Sequence, residues 1–317
     1  MAKLMTIIGA TGIQGGSVVD AMIQHTDFKI RAVTRDRNST TAKTLASRGI
    51  EVVEANLDDA TSLQAAFEGS YAIYAMTNYF ESMGRYSEEE CIDIESRQGI
   101  NLAKAASATP TLAQYIWSSL PNSRENSGGK IVIPYYEAKN KVTAHIKSDA
   151  VLLPKTTFLW ITWYATNLQY PFYKPFPITT AGPNQFIQLQ ASPANVPMKV
   201  IGDPRVNVGL FVKAILEQPE KTLPGRTVLA ATDDMTAGEL LSTWAKVHGK
   251  EARFVQINNE TYNNLWPMWG ELMHKTHSFW ELAGEKTFSG EDVILTKDDL
   301  NLTGLVDAAA TLAKLDL

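Results

Sequence analysis

The stretch MTIIGATGIQGGSVVDAM, Met5 to Met22, sets Gly9, Gly12 and Gly15 at three-residue intervals between an apolar run and an amphipathic one. Glycine serves where φ is positive or where a ligand comes close to the backbone. Between a first strand and a helix, that spacing aims backbone N–H groups and the positive helix end at a pyrophosphate. The chemistry on offer is dinucleotide binding, and a nicotinamide carrier suits the size of the chain better than a flavin. The end of the second strand chooses among carriers. An acidic residue there would hold a ribose 2′-hydroxyl, whereas this chain has Thr34, Arg35, Asp36 and Arg37. The planar fork of Arg35 can pair with a 2′-phosphate, with Arg37 or Lys43 beside it, which favours NADPH. Tyr135 and Lys139, four apart in IVIPYYEAKNKV, would share one face of a helix. His274 and His277 are three apart, but no carboxylate or cysteine pattern accompanies them and no metal is expected.

Alternating short strands and helices are what would position these groups. KLMTIIG, FKIRAVTR, IEVVEANL, YAIYAM, AQYIWSS and TTFLWITWYATN read as six strands. Between them lie helical stretches, among them one opened by a capping-box spacing of Ser87 and Glu90 and one from about Tyr136 to Ser148. The pattern predicts an α/β fold, a doubly wound parallel sheet of Rossmann type over residues 1–167. A smaller C-terminal α/β lobe for substrate is expected over 168–317, with a discontinuous boundary because some later strands rejoin the first sheet. YPFYKPFPITTAGPN reads as an ordered crossing loop whose rings need surface to bury. Strands or helices resume at PMKVIG, NVGLFVKAILEQ, RTVLAATDDM and ARFVQI, with a further capping signal at Thr236 and Glu239.

The chain has 317 residues, 44% hydrophobic, with a formal net charge of -5, which argues for a globular enzyme-like body and against nucleic acid or an anionic membrane as partner. Its single cysteine, Cys91, excludes an internal disulfide and fits a reducing compartment. MAKLMTIIG lacks signal-peptide anatomy and no apolar run reaches the ~20 residues of a membrane span. A cytoplasmic protein, also compatible with the nucleus, is expected.

GATGIQGGSVV resembles the NmrA-like branch of the atypical short-chain dehydrogenase/reductases, where the turn carries G-A-T-G-x-Q-G. AVTRDR, MTNYFES and YATNL agree with that family in order and position. The resemblance implies that Thr11, Ile13, Gln14 and the three glycines line the pyrophosphate and that Arg35, with Arg37, takes the 2′-phosphate. It places Thr77, Asn78 and Tyr79, with Tyr164 and Asn167, on the ribose and nicotinamide side. A family glycine-aspartate pair is replaced here by Ala55 and Asn56, leaving the adenine contact open among Asn56, Leu57 and Asp58. In catalytic relatives a Tyr-x-x-x-Lys pair donates a proton from the phenol while the lysine holds the ribose and lowers the phenol's pKa. That role would fall to Tyr135 and Lys139, with Ser118 or Ser119 on the same oxygen. In isoflavone reductase-like relatives the lysine itself is the acid or base.

Six of the seven tryptophans follow the fifth strand, among them Trp160, Trp163, Trp266, Trp269 and Trp280. Together they predict a cleft lined by rings, with Trp163, Trp266 and Trp269 at the substrate. Two functions fit. One is an NADPH-dependent reductase of a hydrophobic aromatic or polycyclic small molecule bearing C=O, C=N or conjugated C=C. The other is a non-catalytic NADPH sensor of the NmrA type acting on a protein partner.

Overall fold

The computed structural model describes residues 2–317. Its first half runs β1 (Lys3–Ile8), α1 (Ile13–Met22), β2 (Phe28–Thr34), α2 (Thr40–Ser47), β3 (Glu51–Glu54), α3 (Ala60–Phe67), β4 (Ala72–Ala75), α4 (Glu88–Ser107), β5 (Gln114–Ser119), the single turn α5 (Ser123–Asn126), α6 (Pro134–Ser148) and β6 (Thr156–Ile161). There follow β7 (Trp163–Tyr164), β8 (Phe176–Pro177), β9 (Gln185–Gln190), β10 (Pro197–Gly202), α7 (Pro204–Glu217), the short α8 (Pro219–Thr222), β11 (Arg226–Ala230), β12 (Asp233–Thr236), α9 (Ala237–Val247), β13 (Glu251–Gln256), α10 (Asn259–Leu265), α11 (Trp269–Ala283), β14 (Ile294–Leu295) and α12 (Ala308–Leu312).

Eight of these strands form one parallel sheet in the order β14-β11-β6-β5-β4-β1-β2-β3. The chain builds outward from β1 on one side, then returns to β4 on the other, which opens a crevice at the C-terminal ends of β1 and β4. Side chains alternate across the sheet: Met5, Ile7 and Tyr74 face a core shared with α1 and α7, whereas Ile8, Ile73 and Trp117 face one shared with α3, α4 and α6. β5 and β6 are buried along their whole length, as central strands covered on both faces are. β11 and β14, both beyond residue 167, hydrogen-bond into this sheet.

TTFLWITWYATN is two strands, not one. The Thr162 hydroxyl donates to the Ala230 carbonyl at 2.6 Å, and the chain leaves the large sheet at that point. β7 then pairs with β10 in a small sheet of order β12-β10-β7, while β13-β9-β8 forms another. The rings of Trp163, Phe172, Tyr173, Trp244, Tyr262, Phe279 and Trp280 fill a separate core among these small sheets and α9 to α12. Both capping boxes form, Ser87 with Glu90 opening α4 and Thr236 with Glu239 opening α9. Among the described residues no helix is long and apolar enough to cross a membrane.

Candidate functional site

At the end of β1 the backbone turns through Gly9, whose φ of +71° suits glycine and whose missing Cβ would stand 2.9 Å from Met76 Sδ. A Cβ on Gly15 would lie 2.2 Å from the Gly9 carbonyl oxygen, so only hydrogen there lets α1 begin against the strand. Gly12 donates its N–H back to that carbonyl at 2.8 Å and opens α1 without any side-chain cap. Thr11, Gly12 and Ile13 are exposed. The first N–H groups of α1 are thus left facing outward at the crevice, which is what a pyrophosphate requires.

Gln14 ties this turn to the strands around it. Its Nε2 donates to Tyr164 Oη at 2.7 Å, and its Oε1 accepts from Tyr74 Oη at 2.7 Å and Ser118 Oγ at 2.8 Å. Ser118 therefore belongs to the turn network and not beside the Tyr135 phenol, while Ser119 pairs with Thr143 at 2.9 Å. Asn167 sits half-buried in the helical turn after Tyr164, its carbonyl accepting the Tyr170 N–H at 2.9 Å.

Lys139 lies on α6 with its ammonium next to the segment that follows β4. It donates to Thr77 O at 3.0 Å and Thr77 Oγ1 at 3.2 Å, and stands 3.1 Å from Glu95 Oε1. The indole of Trp117 lies beneath it, 5.4 Å to the ring centre. Glu95 is 1% exposed, on the face of α4 that also buries Cys91, Gly99 and Leu102. A carboxylate on an apolar helical stripe was legible in the sequence and marks a residue that motif matching passed over. Tyr74 was passed over because YAIYAM reads only as a buried strand. Arg205, the second residue of α7, places Nη1 2.9 Å from where a Gly16 Cβ would be, beside the start of α1, a contact that no local pattern announces.

Tyr135 departs from its expected environment. Its phenol pairs with Thr276 Oγ1 at 2.9 Å and its ring packs on Tyr79, Phe80 and Tyr136. Burial pushes the phenol well above its ordinary value, with neighbouring tyrosines adding to the effect. The lowering expected from Lys139 is absent, because the ammonium is turned to Thr77 and Glu95. Tyr79 is buried edge-on to Phe80, and the exposed Asn78 caps the short turn behind it by accepting the Phe80 N–H at 3.2 Å.

At the adenosine end, Arg35 is exposed and makes a two-pronged pair with Glu81 at 2.7 and 3.2 Å, joining the end of β2 to the segment after β4. Arg37 is engaged through its backbone N–H, 3.4 Å from Glu54 Oε2. Asp58 is held by Arg97 and Gln98, each at 3.0 Å. Asn56 accepts the Asp58 N–H, and the Leu57 carbonyl accepts from Asn101.

The rings expected to line a cleft pack on one another. Trp269 stacks on Phe172, 5.3 Å between centres, and lies 5.5 Å from Phe80. Trp266 packs on Tyr262 and Phe176. Trp163 is buried against Tyr173 and borders a cavity of ≈ 20 Å³ together with Gln190 and His277. His277 is sandwiched between Tyr173 and Trp280, and burial pushes its imidazole down to about 4. A larger groove of ≈ 290 Å³, lined by Met198, Asp234, Glu239, Trp280 and Phe288 among others, includes none of the residues expected to hold cofactor.

The sequence model of the NmrA-like family matches residues 1–309. Among curated proteins, an NmrA-like family domain-containing oxidoreductase of Aspergillus hancockii is 29% identical over 272 residues, 83% of this chain and 78% of that one. Among solved structures, the negative transcriptional regulator NmrA in complex with NAD superposes with a TM-score of 0.77 at 18% identity, covering 99% of this chain and 95% of that one. The Citrobacter triphenylmethane reductase complexed with NADP(H) superposes with a TM-score of 0.70 at 20% identity, covering 98% of each chain. At such identities the two structures establish likeness of fold, and the family match over nearly the whole sequence goes further: the chain belongs to the NmrA-like family.

Proposed function

We propose that the protein is an NADPH-dependent oxidoreductase acting on a hydrophobic, flat small molecule with a polarised C=O, C=N or conjugated C=C bond. The observation that carries this reading is the convergence, at one crevice, of an uncapped helix start behind Gly9 and Gly15 with a half-buried lysine at Thr77. The oxidoreductase names of family relatives support it.

Gly12, Ile13 and Gln14 would hold the pyrophosphate, Arg35 the 2′-phosphate, and Lys139 with Thr77 the ribose next to the nicotinamide. When bound, the reduced nicotinamide supplies a hydride. Lys139 Nζ then faces the negative charge that develops on the reduced group, a task for a fixed cation in a site with little water. Tyr135 Oη keeps its proton and shapes the cleft wall with Phe80 and Trp269. The structure thus favours the lysine-centred alternative over the tyrosine-centred one.

A second reading is the NADPH sensor. It is favoured by the packing of Phe80, Phe172 and Trp269 on one another, which fills the place where a substrate would lie. The experiment is consumption of NADPH with a panel of aromatic ketones, imines, enones and quinones. Turnover of at least one member above the rate of the Lys139→Met variant supports the enzyme. NADPH binding without turnover of any member, together with cofactor-dependent protection of 170–190 from protease, supports the sensor.

A further inference from the structure

We propose that Glu95 is the positioning residue for Lys139: a buried carboxylate that fixes the ammonium at the C-terminal ends of β4 and β5, where the cofactor's ribose and the reacting atom would lie. This deepens the function proposed above and rests on it. Glu95 Oε1 lies 3.1 Å from Lys139 Nζ and accepts the Thr77 hydroxyl at 2.7 Å. Thr77 in turn accepts from Lys139 through both its carbonyl and its hydroxyl oxygen, at 3.0 and 3.2 Å. Two hydrogen bonds to Thr77 and the ion pair with Glu95 together fix the place of one ammonium.

The packing of α4 on α6 is what brings the pair together. A Cβ on Gly99, one turn beyond Glu95, would meet Val142 Cγ2 at 2.5 Å and Trp117 at 3.1 Å. Glycine there lets the helices approach closely, and Lys139, three residues before Val142, then reaches Glu95. Stability alone does not call for this arrangement. A buried ion pair often stabilises no more than apolar side chains of the same volume, because both charges must first leave water. Glu95 interrupts an apolar stripe whose other members are Cys91, Gly99 and Leu102. What the pair adds over leucine and methionine is a charge held in one place, and that place adjoins the turn behind Gly9.

The test is a double-mutant cycle on NADPH affinity, read by calorimetry for wild type, Glu95→Gln, Lys139→Met and the double variant, with melting temperatures recorded for all four. Glu95→Gln is expected to weaken NADPH by roughly tenfold in the presence of Lys139 and by less than about twofold in its absence, the signature of residues that act through each other. Equal losses in the two backgrounds, or no loss in either, would overturn the proposal. The melting temperatures separate folding from positioning: the double variant should melt nearer to wild type than either single variant does, since no lone buried charge remains. If wild type binds no NADPH, the functional reading fails, and the melting temperatures still judge the pair, because strictly additive losses would show that Glu95 and Lys139 are not coupled.

Discussion

Replacing Gln14 with methionine keeps the volume of the side chain and removes the amide that joins α1 to β4, β5 and β7. Tyr74 and Ser118 both donate to Gln14 Oε1, and they are 0% and 1% exposed. Water does not replace a lost acceptor at such positions, so each hydroxyl is left unsatisfied at about 1–3 kcal/mol, or about 2–6 kcal/mol for the two. Tyr164, half-buried, loses only a donor to its hydroxyl and adds little. Against a domain stability of about 5–15 kcal/mol, the loss is large enough to measure by equilibrium urea denaturation. The mechanism makes a sharper claim through a second substitution. Tyr74→Phe in wild type removes a satisfied hydroxyl and destabilises, whereas in the Gln14→Met background it removes an orphan and restores about 1–3 kcal/mol. A Gln14→Met cost below about 0.5 kcal/mol, or an equal effect of Tyr74→Phe in both backgrounds, would refute the reasoning.

Arg35→Ala should weaken NADPH by about 1.5–3 kcal/mol and leave NADH nearly unchanged, and Glu81→Gln should tighten NADPH by releasing the guanidinium, both read by calorimetry. Equal NADPH affinity in Arg35→Ala would remove that residue from the site. Tyr135→Phe should keep cofactor affinity and change turnover by no more than a few-fold, since its hydroxyl is paired with Thr276; a loss of about 10²-fold would make the phenol the acid after all. His277 is held neutral, its pKa pushed from 6.5 in the unfolded chain to about 4. Its contribution is therefore fully present above pH 6.5 and is lost as pH falls toward 4, at about 2 kcal/mol by pH 5. Stability measured at pH 7 and pH 5 should differ less by that amount in His277→Phe, and an unchanged pH dependence would show that the imidazole is not responsible.

Features whose cause is local were legible in the sequence. The glycine turn behind β1 and the Ser87–Glu90 and Thr236–Glu239 boxes depend on residues within a few positions of one another, and residue type alone announces them. Features closed by distant partners were not. The sixth strand ends at Ile161, where the next residue, Thr162, turns its hydroxyl to the distant Ala230 carbonyl, and the Tyr135 phenol is claimed by Thr276 on a helix far along the chain. Helical spacing put Tyr135 and Lys139 on one face of α6, yet the direction of each head group is set by what packs opposite it: α11 for the first, the Thr77 segment and α4 for the second. Glu95 lies between these cases. Its position on an apolar stripe was visible, but its partner was not, since only the close approach of α4 and α6 at Gly99 brings Lys139 within reach.

The central claim is that the crevice built on Gly9, Gly15 and Lys139 holds a nicotinamide dinucleotide phosphate. Calorimetric titration of the wild-type protein with NADPH, repeated with NADH, tests it most directly. Saturable binding of one NADPH per chain is expected, displaced by NADP and tighter than that of NADH. No saturable binding of either nucleotide would contradict it.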